Sequence, residues 1–146
     1  MKYVVDTNIF NHLLDGRLPS SALPVNGEFI ATNVQRCELE RTSDGSRRAE
    51  LLKTFCRVMS DIVPTESFAF DIPGSGFDES RWSDGKNVST LKCALDARNN
   101  QKTNNWQDAI IAEVALVHGY GLITSDHDLA VVAKQQGIHV HYLPIC

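Results

Sequence analysis

The chain has 146 residues, 42% of them hydrophobic and 22% charged, which suits one globular domain with a real core and excludes a disordered or fibrous chain. No apolar stretch nears the ~20 residues of a membrane span, and Asp6 interrupts the amino-terminal run, so neither a membrane protein nor a signal peptide is expected; a cytoplasmic location is. The net charge of −4 argues against passive nucleic-acid binding, and four scattered cysteines without a Cys-x-x-Cys pair argue against a zinc site or a disulfide framework.

Lys2–Asp6 reads as a buried parallel strand, continuous rather than alternating. A short helix follows over Thr7–Leu14 and stops at the turn pair Asp15-Gly16. Leu18–Asn26 holds two prolines and is loop, and Gly27–Thr32 is a second strand. Thr32 or Asn33 caps the next helix, with Gln35 in capping-box position for Thr32. That helix runs to about Arg41 and breaks at Ser43-Asp44-Gly45. The amphipathic helix Ser46–Ser60 then puts Leu51, Leu52, Phe55 and Val58 on one face, and Ile62-Val63 is a short strand stopped by Pro64.

Residues 65–85 are irregular, with turn formers at Pro73-Gly74-Ser75-Gly76 and Ser83-Asp84-Gly85 among Phe68, Phe70, Phe77 and Trp82. So many aromatics favour a structured loop over a disordered linker. Asn87–Arg98 is helical, Asn99–Asn105 is a polar connection, and a helix opens through Asn105-Trp106-Gln107-Asp108 into Ala109–His118. After the turn Gly119-Tyr120-Gly121 come the strand Leu122–Thr124, the helix Leu129–Gln136 with Gly137 just past its end, and a final strand Ile138–Leu143. Alternating strands and helices predict a single α/β domain over 1–146, its mostly parallel sheet covered on both faces, with an irregular insertion at about 65–104.

Four acids share one grammar: Asp6 and Asp126 follow apolar runs, Glu38 rides on the helix into which Phe29-Ile30-Ala31-Thr32 opens, and Asp108 opens the helix Ala109–His118. In a parallel sheet they converge at its carboxyl edge, where open α/β folds bind ligands. Clustered carboxylates repel one another and are costly to bury unpaired, so the arrangement predicts a divalent cation. An all-oxygen site favours Mg²⁺ or Mn²⁺ over zinc or copper. Two basic stretches flank it. Residues 34–58 carry six basic against four acidic side chains and residues 81–102 five against two, a layout that suits a phosphate-rich substrate or two solvated helix faces.

Each acid also has a purely structural use. Asp6-Thr7-Asn8 could cap the first helix, Asp108 could occupy the third position behind an Asn105 cap, and Asp126 could be an N-cap or sit within a Ser125–Asp128 capping box. Glu38 lies mid-helix, where its plain use is an exposed pair with Arg41, and Glu40 faces solvent. His139 and His141 share one strand face without a third ligand at zinc spacing. His127 could touch substrate. Gly74-Ser75-Gly76 lacks the Lys-Ser/Thr of a phosphate loop. Trp82 and Trp106 could stack on bases, though packing is the expected use of Trp106.

With these residues in view, the chain resembles the PIN-domain family of metal-dependent ribonucleases, and within it the VapC-type toxins of toxin–antitoxin modules. The likeness rests on Val4-Val5-Asp6-Thr7-Asn8, Cys37-Glu38-Leu39, Asp108-Ala109-Ile110-Ile111-Ala112 and Leu122-Ile123-Thr124-Ser125-Asp126-His127-Asp128-Leu129, the last with Leu129 in place of the usual aromatic. The resemblance implies a three-layer α/β/α fold and hydrolysis of RNA phosphodiesters. It implies that Asp6, Asp108 and Asp126 hold Mg²⁺ or Mn²⁺ directly or through water, with Glu38 orienting or sharing the ion. Thr7, Asn8, Thr124, Ser125 and Asp128 stand beside them as supporting or substrate contacts, and Asp128 competes with Asp126 for the fourth acid. An antitoxin laid across the acidic groove and a homodimer are further expectations. The competing readings are a non-catalytic PIN-like binding domain and a small-molecule phosphohydrolase. For the haloacid-dehalogenase type, Asp6-Thr7-Asn8 lacks the second acid of Asp-x-Asp.

Overall fold

A computed structural model describes residues 1–65 and 86–145. The expectations for 66–85, including Phe68, Phe70, the Gly74-Ser75-Gly76 turn, Phe77 and Trp82, lie outside the described residues.

Among the described residues five strands form one sheet: β1 (Lys2–Val5), β2 (Glu28–Ala31), β3 (Asp61–Ile62), β4 (Gly121–Thr124) and β5 (Val140–Tyr142), in the order β3-β2-β1-β4-β5. Every pairing is parallel. The sequence predicts a mostly parallel sheet; among the described residues it is wholly so. The helices are α1 (Thr7–Leu14), α2 (Asn33–Glu40), α3 (Gly45–Val58), α4 (Lys86–Asn99), α5 (Asn105–His118) and α6 (His127–Gln135). The last strand is shorter than the predicted Ile138–Leu143, and α6 begins two residues earlier than expected.

Alternate residues of the three central strands feed two separate cores, the period of two that a pleated sheet imposes. Val4, Ile30 and Leu122 point to one face, where α4, α5 and α6 bring Leu91, Leu95, Ile110, Ile111, Leu129 and Val132. Tyr3, Val5, Ala31 and Ile123 point to the other, where α1, α2 and α3 bring Ile9, Phe10, Leu39, Leu51 and Phe55. The result is three layers, α/β/α. The Arg47 guanidinium ties α3 to the first helix by donating to both Asp15 carboxylate oxygens (2.7 and 3.0 Å) and to Asn11 Oδ1 (3.0 Å).

The chain turns from β1 outward through β2 and β3 on one side, then returns to build β4 and β5 on the other. The boundary between β1 and β4 is therefore the topological switch point, whose carboxyl end is an open crevice in folds of this kind. Val5 lies opposite Ile123 in the register, and the Asp6 amide donates to the Ile123 carbonyl at 2.9 Å. Among the described residues no helix is long and apolar enough to cross a membrane.

Candidate metal centre

Asp6 leaves β1 at the switch point and is almost fully buried. It occupies the N-cap position of α1, but its side chain makes no cap hydrogen bond, so the helix-capping use of this acid is overturned. Its carboxylate turns across the crevice instead, where the Thr124 hydroxyl donates to Oδ2 at 2.8 Å. Burial raises the Asp6 pKa to about 6, helped by the negative charge of Asp126 and opposed by the Thr124 hydroxyl and by Lys102.

Thr124 does more than hold Asp6. Its oxygen also accepts the Asp126 amide at 3.0 Å, so one hydroxyl fixes the ends of both central strands. Asp126 is the N-cap of α6: Oδ1 accepts the Leu129 amide at 3.1 Å, as the capping reading predicts. Its other oxygen, Oδ2, lies 3.6 Å from Lys102 Nζ. The Ser125–Asp128 capping box is not formed; Asp126 caps in its place. Asp128 pairs with Arg98 at 3.2 Å, which ties α6 to α4.

Glu38 comes from α2, whose start is fixed by the predicted capping box between Thr32 and Gln35. Gln35 is fully buried, and its Nε2 donates to the Val5 carbonyl at 3.1 Å. That bond locks α2 to the residue before Asp6. Glu38 itself is only partly exposed. Burial raises its pKa to about 7, with Asp6 pushing it up and Arg41 pulling it down. Thr7 lies beside it and also pulls it down, although the buried Thr7 hydroxyl makes no hydrogen bond of normal geometry. Asn8 is exposed and Ser125 partly so.

Asp108 stands in the first turn of α5 and is buried. Its pKa is well above the usual carboxylate range, first through burial and then through the charges of Asp6, Asp126 and Glu38. The N-cap position is Asn104 rather than Asn105, and it makes no side-chain cap bond. Asn105 is drawn inward, donating from Nδ2 to Asp96 and Asn99 at 2.8 Å each. This one-residue difference turns Trp106 outward: it is 43% exposed beneath Lys92 Nζ at 5.0 Å, so the expectation that it packs is overturned.

Four carboxylates thus meet at one end of the sheet: Asp6 and Glu38 both raise the pKa of Asp108, Asp6 raises that of Glu38, and Asp126 raises those of Asp6 and Asp108. The described cation that acts on both Asp6 and Asp108, and pairs with Asp126, is Lys102. Sequence reasoning counts it only within a basic stretch. Nothing in its spacing marks it, because the polar connection before α5 folds it in. The donor set suits a hard divalent ion: all oxygen, mostly buried, and proton-retaining for want of positive charge. As placed, no three His, Cys, Asp or Glu among the described residues form a ready ligand set, so holding an ion requires a local shift of these side chains. His139 and His141 both lie against the Tyr3 ring, and His141 Nε2 is 3.1 Å from the Ala22 carbonyl, which leaves them as strand residues. Cys56 and Cys93 are exposed and form no disulfide among the described residues.

The fold and the position of this acidic end define a class. No family model matches the sequence, and no curated protein matches it. Solved structures do. VapBC2 from Rickettsia felis, bound to a DNA fragment from its promoter, aligns over 96% of this chain and 97% of that one at 16% identity and a TM-score of 0.53. A member of the VapBC family of toxin–antitoxin systems, VapBC-5 from Mycobacterium tuberculosis, aligns over 97% and 98% at 19% identity and a TM-score of 0.53. A domain of a functionally unknown protein from Methanocaldococcus jannaschii aligns over 99% and 92% at 20% identity and a TM-score of 0.55. The chain has the α/β/α fold of PIN-domain VapC proteins, as the four sequence stretches anticipate; at such identities the likeness speaks for the fold alone.

Proposed function

We propose that this protein is a Mg²⁺- or Mn²⁺-dependent endoribonuclease, the toxin of a toxin–antitoxin pair. One observation carries the reading: Asp6, Glu38 and Asp108 are held protonation-prone at the switch point by burial and mutual repulsion, a conflict that a divalent cation relieves. Asp6, Asp108 and Asp126 are the residues that would hold the ion, with Glu38 beside them. When bound, it supplies an acidic water and neutralises charge on the phosphate.

The chain's own groups do the rest. The Thr124 hydroxyl fixes the orientation of Asp6 and the backbone at Asp126. Losing such a supporting contact typically costs a metal site about 10- to 100-fold in affinity or activity. Glu38, partly buried beside Asp6, would orient or share the ion. Exposed Asn8 and partly exposed Ser125 would meet a phosphate at the rim. RNA as substrate, an antitoxin across the groove, a homodimer and a cytoplasmic site of action belong to the same reading. The VapBC toxin–antitoxin proteins among the structural neighbours support the antitoxin.

The test is cleavage of structured RNA by the purified protein in Mg²⁺, Mn²⁺ or EDTA, beside Asp6→Asn. Cutting that requires the metal and disappears in the variant is the expected result. RNA left intact while a simple phosphate monoester is hydrolysed would overturn it in favour of a small-molecule phosphohydrolase.

A further inference from the structure

The connection between α4 and α5 is built to present one side chain. Asn100 (φ 57°) and Gln101 (φ 60°) both adopt the left-handed conformation, which non-glycine residues keep in succession only where their surroundings impose it. What imposes it is a part-buried polar cluster centred on the buried Asn105. Asn105 Nδ2 donates to Asp96 Oδ1 and Asn99 Oδ1, and Asn99 Nδ2 donates back to Asn105 Oδ1 at 3.0 Å. The next residue, Lys102, is clamped by its backbone at both ends. Its amide reaches Asn99 Oδ1 at 3.4 Å and its carbonyl accepts the Asn105 amide at 3.1 Å.

From this fixed base the Lys102 ammonium extends to Asp126 Oδ2 at 3.6 Å and lowers the pKa values of both Asp6 and Asp108. Arg98, four residues earlier, is occupied by Asp128 and does not compete for Asp126. Lys102 therefore supplies positive charge to three of the four acids. The same three would hold a divalent ion under the function proposed above, on which this step rests.

We infer that Lys102 is a tethered counter-cation: it occupies the acidic end of the sheet in place of a divalent ion and withdraws when one binds. Two positive groups cannot share Asp126 without repulsion, and the ammonium, half exposed on a flexible stem, is the one free to leave. The absence of a ready ligand set among the described residues fits an arrangement in which the carboxylates relax toward the ion only after Lys102 swings out.

The test compares Mn²⁺ binding to the wild type, Lys102→Met and Lys102→Arg by calorimetry in the absence of RNA. Lys102→Met should bind Mn²⁺ about twofold to fivefold more tightly, the range set by a solvent-screened ion pair, and Lys102→Arg should stay close to wild type. In EDTA at pH 8, Lys102→Met should melt lower than wild type, and saturating Mn²⁺ should close that gap. Equal or weaker Mn²⁺ binding by Lys102→Met would overturn the inference while leaving the metal site standing. No Mn²⁺ binding by any of the three proteins would overturn both.

Discussion

The Thr124 hydroxyl donates to Asp6 Oδ2 at 2.8 Å and accepts the Asp126 amide at 3.0 Å, so the two acids at the ends of the central strands are set by a single oxygen. Thr124→Val keeps the β-branched shape and removes both bonds. Asp6 then loses the contact that most strongly lowers its pKa, and the Asp126 amide loses its acceptor. Mn²⁺ affinity or RNA cleavage should fall about 10- to 100-fold, as for other supporting contacts around metals. Stability should fall by about 1 kcal/mol. Full retention of both affinity and rate in a calorimetric and kinetic comparison would remove Thr124 from the site.

Burial raises Asp6 from 3.8 to about 6 and Glu38 from 4.5 to about 7. For a carboxylate with a raised folded pKa, the folded state binds more protons than the unfolded chain between the two values. Stability is therefore lost as pH rises from about 4 to about 7, and each group costs on the order of 3 kcal/mol once fully ionised. Asp108 adds to the loss in the same direction. In EDTA the protein should melt higher at pH 5 than at pH 8. Mn²⁺ should raise the melting temperature more at pH 8 than at pH 5, because a cation binds the ionised cluster. A melting temperature in EDTA that climbs from pH 5 to pH 8 would mean that these carboxylates do not dominate.

Asp108→Asn separates function from stability. The amide nearly matches the carboxylate in shape, but removes one of four mutually repelling charges and a proposed ligand. Cleavage should drop to background, while melting in EDTA at pH 8 holds or rises by a few degrees, since ~1 kcal/mol moves a chain of this size by about 2–4 °C. Parallel loss of melting temperature and activity would make Asp108 a structural residue.

Much of this was open to local reasoning and some was not. The continuous apolar runs Tyr3-Val4-Val5 and Leu122-Ile123 mark strands buried on both faces, and the Thr32–Gln35 capping box is a four-residue signal. The placing of Asp6, Glu38, Asp108 and Asp126 at one sheet end follows from parallel topology alone. What local patterns cannot show is which of two nearby polar partners a side chain chooses. Asp6 has the position of a helix cap but turns to Thr124, 118 residues away. Asn105 reads as a cap but is drawn to Asp96 and Asn99, which shifts the start of α5 and exposes Trp106. Lys102 enters the acidic end only because that amide cluster bends the preceding turn. Such choices are set by tertiary contacts, and no local window contains them.

The two acids of Ser125-Asp126-His127-Asp128 are equivalent in sequence and unlike in space. Asp126 is largely buried, caps α6 and raises the pKa values of Asp6 and Asp108. Asp128 is partly exposed, pairs with Arg98 at 3.2 Å, and contributes to the raised pKa of neither. Asp126→Asn should therefore weaken Mn²⁺ binding and abolish cleavage, although asparagine still caps the helix and the fold is kept. Asp128→Asn removes only a half-exposed ion pair, worth about 0–1 kcal/mol, and should leave Mn²⁺ affinity within a few fold of wild type. Measuring both variants side by side decides the assignment. If Asp128→Asn loses Mn²⁺ and Asp126→Asn keeps it, the fourth acid is Asp128, and Arg98 must release it when the ion binds.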